Sequence, residues 1–283
     1  MNSLVVKPID FDRMYVNQGL GVGDFKYIFL AEGDSWMERS AVLQGSLPDF
    51  LSYYMDSHHE PVLIINLAMF GDELRRIGTV QREAFKYWLK QFKYDAVLFS
   101  AGGNDYIDAA KDPAPGKGIL NSYVDGSVPV DAKSCINWTA VSELRARYLT
   151  KCFGAIYDMV QQSQNTDIPI LVNSYEVPVA RNAPAVKEAW LYNAYVKNNI
   201  PSRLWRGVTK EIFGSISEEL LSWTDKRPSV SLVPTRDVLT PAAAGSTGNS
   251  GDWINEIHPN RNGWKKLAPI WKTAFDKARG LPV

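Results

Sequence analysis

The chain is poor in the residues that mark redox, metal or membrane chemistry. Cysteine occurs only twice in 283 residues, at Cys135 and Cys152, too few for a disulfide framework and without the neighbours of a metal site or redox pair. No apolar run approaches the ~20 residues of a membrane span. The opening MNSLVVKPIDFDRMYVNQ has acidic residues where a signal peptide needs a continuous apolar stretch. Cytoplasm is therefore the default location, with export that needs no cleaved signal left open. An excess of charge is lacking too: 31 Lys and Arg balance 31 Asp and Glu, so no global field draws the molecule to nucleic acid or an anionic surface. Neither G-x-G-x-x-G nor a P-loop occurs, which argues against a nucleotide-binding flavodoxin-like protein. No repeat or low-complexity tract is found, and nothing calls for a cofactor.

What remains is the material of one large α/β domain spanning 1–283, with its core over about 27–279. Nine Trp and 13 Tyr can fill a large interior. Short apolar runs at Tyr27 to Ala31, Val62 to Leu67, Ala96 to Ser100, Ile168 to Asn173 and Val230 to Val233 predict five strands. They alternate with segments of helical period, the signature of a parallel sheet covered on both faces. Val80, Ala84, Phe85, Trp88, Leu89 and Phe92 form one such stripe. Val141, Leu144, Leu149, Cys152, Phe153, Ile156 and Val160 form another, and Trp264, Leu267, Trp271 and Phe275 a last one. All are read as core. Ser46 and Pro48 predict an N-cap and a helix running to about Met55, with loop between Ser35 and Ser46. Three Pro-, Gly- and Ser-rich stretches, 108–137, 176–184 and 234–252, follow predicted strands. They should emerge at the carboxyl edge of the sheet as candidate substrate walls or a lid, or as plain surface decoration.

The chemistry sits at the ends of the strands. The first strand runs into Gly33-Asp34-Ser35-Trp36, the second into a segment ending in Gly71-Asp72, and the third into Gly102-Gly103-Asn104-Asp105. Asn255-Glu256-Ile257-His258-Pro259 precedes the last helix. In order and position these blocks resemble those of the SGNH/GDSL hydrolase superfamily, over residues 27 to about 275. The resemblance implies a three-layer α/β/α, flavodoxin-like fold and a serine hydrolase acting on a small-molecule, lipid or sugar ester. It also implies an oxyanion hole made by the backbone N–H groups of Ser35 and Gly71 and the side-chain amide of Asn104.

The residues support this independently. A serine hydroxyl is a weak nucleophile at neutral pH and needs a base in hydrogen-bond reach, a task that suits histidine. Of three histidines, His58 and His59 occupy a polar turn entering the second strand, at the opposite end of the sheet from Ser35; they are read as solvated, with a metal site there a minor alternative. His258 is left as the base. Asp34 and Asp105 are read as loop braces accepting from backbone amides.

The pattern breaks at one place. Where the resemblance implies an acid, three residues before His258, stands Asn255. It can hold the imidazole tautomer but cannot stabilise the imidazolium by charge. Asp252 could fold beneath the ring and supply that charge, or Ser35 and His258 could work as a dyad. An inactive module that binds an acylated or carbohydrate ligand is the reading from another class. Acyl chain length, the choice between hydrolysis and acyl transfer, and oligomeric state are not readable from the sequence.

Overall fold

The computed structural model describes residues 2–38, 45–112, 114, 116–185 and 187–282. Six strands form one parallel sheet: β1 (Leu4–Val6), β2 (Tyr27–Gly33), β3 (Val62–Asn66), β4 (Ala96–Ser100), β5 (Ile170–Asn173) and β6 (Val230–Val233). Their spatial order is β1-β3-β2-β4-β5-β6. The five expected strands are present with small changes of boundary. The sixth, β1, corrects the expected count: its three residues pair with Leu63, Ile64 and Ile65 of β3, and so short a run ahead of Lys7-Pro8 shows no readable period. Helices α1 (Pro8–Gln18), α2 (Leu47–Ser57), α3 (Leu74–Ile77), α4 (Arg82–Leu89), α5 (Gly103–Ala110), α6 (Trp138–Leu144), α7 (Thr150–Gln161), α8 (Leu191–Lys197), α9 (Trp205–Thr224) and α10 (Arg261–Arg279) complete the chain, with a π-helical turn, Arg145–Leu149, joining α6 to α7.

The central strands β3 and β4 are buried throughout, as near-continuous apolar strands must be when helices cover both faces. Ser46 caps α2 as expected, in a capping box with Asp49. Some core assignments fail. Val80 lies ahead of α4 and is 74% exposed, Ala84 is exposed, and Phe92, Leu144 and Cys152 are half-buried, packed against the core rather than inside it. Residues 39–44 of the expected loop after Ser35, and residues 113 and 115 of the expected 108–137 loop, lie outside the described residues.

From β2 the chain passes to β3 on one side and then to β4 on the other, so the β2–β4 boundary is where strand order reverses. In open α/β sheets the crevice beyond the strand ends at such a point is where ligands bind. Ser35 follows β2 there, and α5, carrying Asn104, follows β4.

Candidate active site

Backbone geometry puts Ser35 at the mouth of that crevice. Gly33, the last residue of β2, pairs with Ser100 of β4 at φ 146°, and a Cβ on it would lie 2.1 Å from the Ser100 carbonyl oxygen. Only glycine fits. The next residue continues the contact, Asp34 N–H donating to the same carbonyl at 2.7 Å. Gly33→Ala is expected to destabilise the fold by about 2–5 kcal/mol, as strained backbone and overpacking combine. Urea denaturation would measure it, and a loss near zero would mean that the strand ends are not so tightly seated.

Ser35 Oγ lies 2.7 Å from His258 Nε2, across 223 residues of sequence. His258 arrives on the loop before α10, and that loop is tied to the Ser35 turn by Trp36, whose indole N–H donates to the Ile257 carbonyl at 3.3 Å. Trp36 also meets Tyr175, Trp253 and Trp264 edge-on, with ring centroids 5.4–6.4 Å apart. The residue after the serine is thus the aromatic peg that holds the two loops together.

Asn255 takes the position beside the imidazole. Its Oδ1 lies 3.0 Å from His258 Nδ1 and also accepts the N–H groups of Ile257 and His258, at 3.1 and 2.9 Å. An amide oxygen can only accept, so the proton sits on Nδ1 and the Nε2 lone pair faces the serine hydroxyl. Asp252 does not reach the ring. Its Oδ2 is held by Lys266 Nζ at 2.5 Å and the Thr240 N–H at 2.6 Å, so the expectation that it might supply charge to His258 is corrected: a lysine on α10 claims it. His258, 1% exposed, has its pKa pushed down to about 3 by burial alone, with no carboxylate holding it up.

Of the three expected oxyanion donors, Ser35 and Asn104 border the same cleft, and Gly71 lies on the neighbouring turn. Asn104, in the first turn of α5, donates one amide hydrogen to the Asp72 carbonyl at 2.9 Å, which leaves a second hydrogen for a ligand. That bond ties α5 to the turn carrying Gly71, whose φ of 77° suits glycine. Among the described residues, neither the Ser35 nor the Gly71 N–H has a protein acceptor.

The two aspartates beside these positions are braces, as expected. Asp34 accepts from the Trp36 N–H at 3.0 Å, from Ser100 Oγ at 3.1 Å and from the Tyr175 hydroxyl; Asp105 accepts from the Leu74 N–H at 2.7 Å. Burial is the main cause that raises their pKa values, to about 6 and about 7. Fully buried Glu32, at the end of β2, is pushed to about 8 by the same cause.

Several participants had no signal in the sequence. Tyr175 sits at φ 54° at the end of β5 and reaches Asp34. Glu176 uses its carboxylate to accept the Val238 and Leu239 N–H groups at 2.7 and 3.0 Å, pinning the loop after β6 to the loop after β5. Phe70 and Trp190 place their rings 6.1 and 5.6 Å from the His258 ring. Beside Ser35 a narrow cleft opens, bordered by Asn104, Ile107, Tyr175, Glu176, Pro178 and Phe213 among others. The loop after β5, one of the three expected walls, contributes to it. His58 and His59 lie at the end of α2, away from this edge; among the described residues no group of three His, Cys, Asp or Glu side chains could hold a metal ion, and no helix is long and apolar enough to cross a membrane.

No protein-family model matches the sequence, and no curated protein does. Solved structures match over nearly the whole chain. A lipase from a goat rumen metagenome is 14% identical with a TM-score of 0.55, the alignment covering 88% of this chain and 97% of that one. A possible lipase from Chitinophaga pinensis is 13% identical with a TM-score of 0.51, covering 90% and 100%. At such identities the likeness speaks for architecture alone: the chain shares the α/β fold of these two structures.

Proposed function

We propose that this chain is a serine hydrolase that cleaves carboxylic ester or acyl bonds through an acyl-serine intermediate. The observation that carries the reading is the 2.7 Å contact of Ser35 Oγ with His258 Nε2, with Asn255 fixing the tautomer from the other side. Nε2 takes the hydroxyl proton as Oγ attacks the carbonyl carbon. The oxygen that becomes negative is received by the Ser35 and Gly71 N–H groups and the free hydrogen of Asn104. The imidazolium then returns its proton to the departing alcohol, and water repeats the sequence on the acyl-serine.

Labelling with a fluorophosphonate probe tests the reading directly, because only an activated serine reacts. Label on Ser35, with turnover of p-nitrophenyl esters, supports it; a panel of ester chain lengths, acetylated sugars and a phospholipid then sorts substrates. One observation favours a second reading, a binding module with weak or no activity: no carboxylate supports the imidazolium. Absence of label at Ser35 would select it.

That missing charge sets the expected pH behaviour. His258 acts as a base only when neutral, so with a pKa near 3 kcat/KM should show no histidine limb near pH 6.5. Asn255→Asp places a carboxylate on Nδ1 and should raise the histidine pKa by about 1–3 units. The acid limb then moves up in pH by the same amount. The plateau should rise about tenfold, the return on roughly 1.4 kcal/mol of imidazolium stabilisation. Asp252→Asn should leave limb and plateau unchanged. A wild-type limb at pH 6–7 that Asp252→Asn displaces would reverse both assignments.

A further inference from the structure

The segment that carries His258 is clasped to the loop after β5 by two buried side chains that the proposed chemistry does not use. Glu256 turns its carboxylate away from the imidazole. Oε1 accepts the N–H groups of Arg181 and Tyr192, at 3.0 and 2.7 Å. Oε2 accepts those of Trp190 and Leu191, at 2.5 and 2.9 Å. The Glu256 N–H in turn donates to the Ala183 carbonyl at 2.8 Å. Arg181 runs the other way: its guanidinium donates to the Asn255 carbonyl at 2.6 Å and to the Gly248 carbonyl at 2.5 Å. Trp190, Leu191 and Tyr192 open α8, so three of the four amides are first-turn N–H groups without an acceptor in their own helix, and the buried Glu256 carboxylate supplies it.

What this clasp fixes is Trp190. The residue stands at the start of α8, with its backbone held by Glu256 and its ring edge-on to His258 at 79°, while Phe70 covers the imidazole from the loop after β3. Between them His258 is closed off from solvent, although Phe70 itself is 51% exposed. We propose that Glu256 is a positioning residue for the hydrolase reading above: by fastening the Trp190 backbone it keeps the indole against His258 and water off the Asn255–His258–Ser35 line. The groups facing His258 are uncharged, namely Ser35, Asn255, Phe70 and Trp190; those facing Glu256 are Arg181 and Tyr195. Glu256 therefore acts through the position of a neutral wall and not through charge on the ring.

The test works at pH 8.5, where the Glu256 carboxyl, raised to about 7 by burial, is ionised. With two other histidines, both exposed, the His258 ring proton on Nδ1 is assignable by proton NMR. In the wild type it should give a downfield resonance protected from exchange with water. Glu256→Gln removes one of the two accepting oxygens, and Trp190→Ala removes the wall while leaving the clasp intact. Both should broaden or abolish that resonance, and both should lower the rate at which the fluorophosphonate phosphonylates Ser35, with loss of fluoride, about 10- to 100-fold, the scale of a misplaced catalytic group. Should Glu256→Gln fail to fold, Trp190→Ala decides. A resonance that is absent from the wild type, or that persists in a folded variant, overturns the proposal. The NMR readout needs no turnover, so a wild type that shows the protected proton yet resists the probe would sink the hydrolase reading and leave the clasp standing.

Discussion

Ser35→Ala is expected to lower kcat by about 10⁴- to 10⁶-fold, the range seen when a nucleophile that works as a unit with its base is deleted. On the proposed mechanism Oγ is the atom that bonds to the acyl carbon, and among the described residues no other hydroxyl contacts His258 Nε2. The cost to stability should be small by comparison. Ser35 is 4% exposed, and its loss leaves the Nε2 lone pair without a donor in a dry site, worth about 1–3 kcal/mol. Thermal unfolding and ester turnover should therefore separate, a midpoint lowered by a few degrees against activity reduced to the background of the assay. Turnover within tenfold of wild type would place the nucleophile elsewhere.

Asn104→Ala is expected to lower kcat by about 10²- to 10³-fold with little change in KM, because an oxyanion donor contributes mainly once the carbonyl oxygen has become negative. The structure adds a reason for the upper end of that range. The same amide holds the Asp72 carbonyl, so its removal frees the turn that carries Gly71, and on the proposed mechanism one substitution weakens two donors. Asn104→Asp should be no better, since a carboxylate cannot donate and would repel the developing charge. A change confined to KM would make Asn104 a residue that binds substrate in its ground state.

Much of this arrangement was legible in the sequence because it lies at strand ends. The runs that became β2, β3 and β4 are apolar enough to read directly, and each leads into a block whose residue types suit acyl chemistry: Ser35, then Gly71, then Asn104. His258 was reachable by elimination among three. The long helix α9 was not singled out, because Thr209, Ser215 and Glu219 lie on its buried face and break the apolar period. Distant partners help satisfy their polar atoms, Arg145 and Thr150 those of Glu219, which local spacing cannot show. The same holds for the clasp. Arg181 and Trp190 read as an ordinary charge and an ordinary aromatic in a loop; what they do depends on Glu256, 75 and 66 positions away. Asp252 is likewise claimed by a residue outside the motif, Lys266.

The buried carboxyls around the strand ends have a consequence for the folding reaction itself. Glu32, Asp34, Asp105 and Glu256 have pKa values raised to about 8, 6, 7 and 7, whereas in an unfolded chain such groups ionise near 4. Between those limits the folded protein holds protons that the unfolded chain has released, so stability falls as pH rises from about 4 to about 8. His258 works in the opposite sense and only in acid, since below about 6.5 the unfolded imidazole binds a proton that the buried one refuses. Near neutrality, then, this chain consumes hydrogen ions as it folds and returns them as it unfolds. The heat absorbed on melting accordingly includes the ionisation heat of the surrounding buffer, and pH enters the folding equilibrium as the concentration of a reactant.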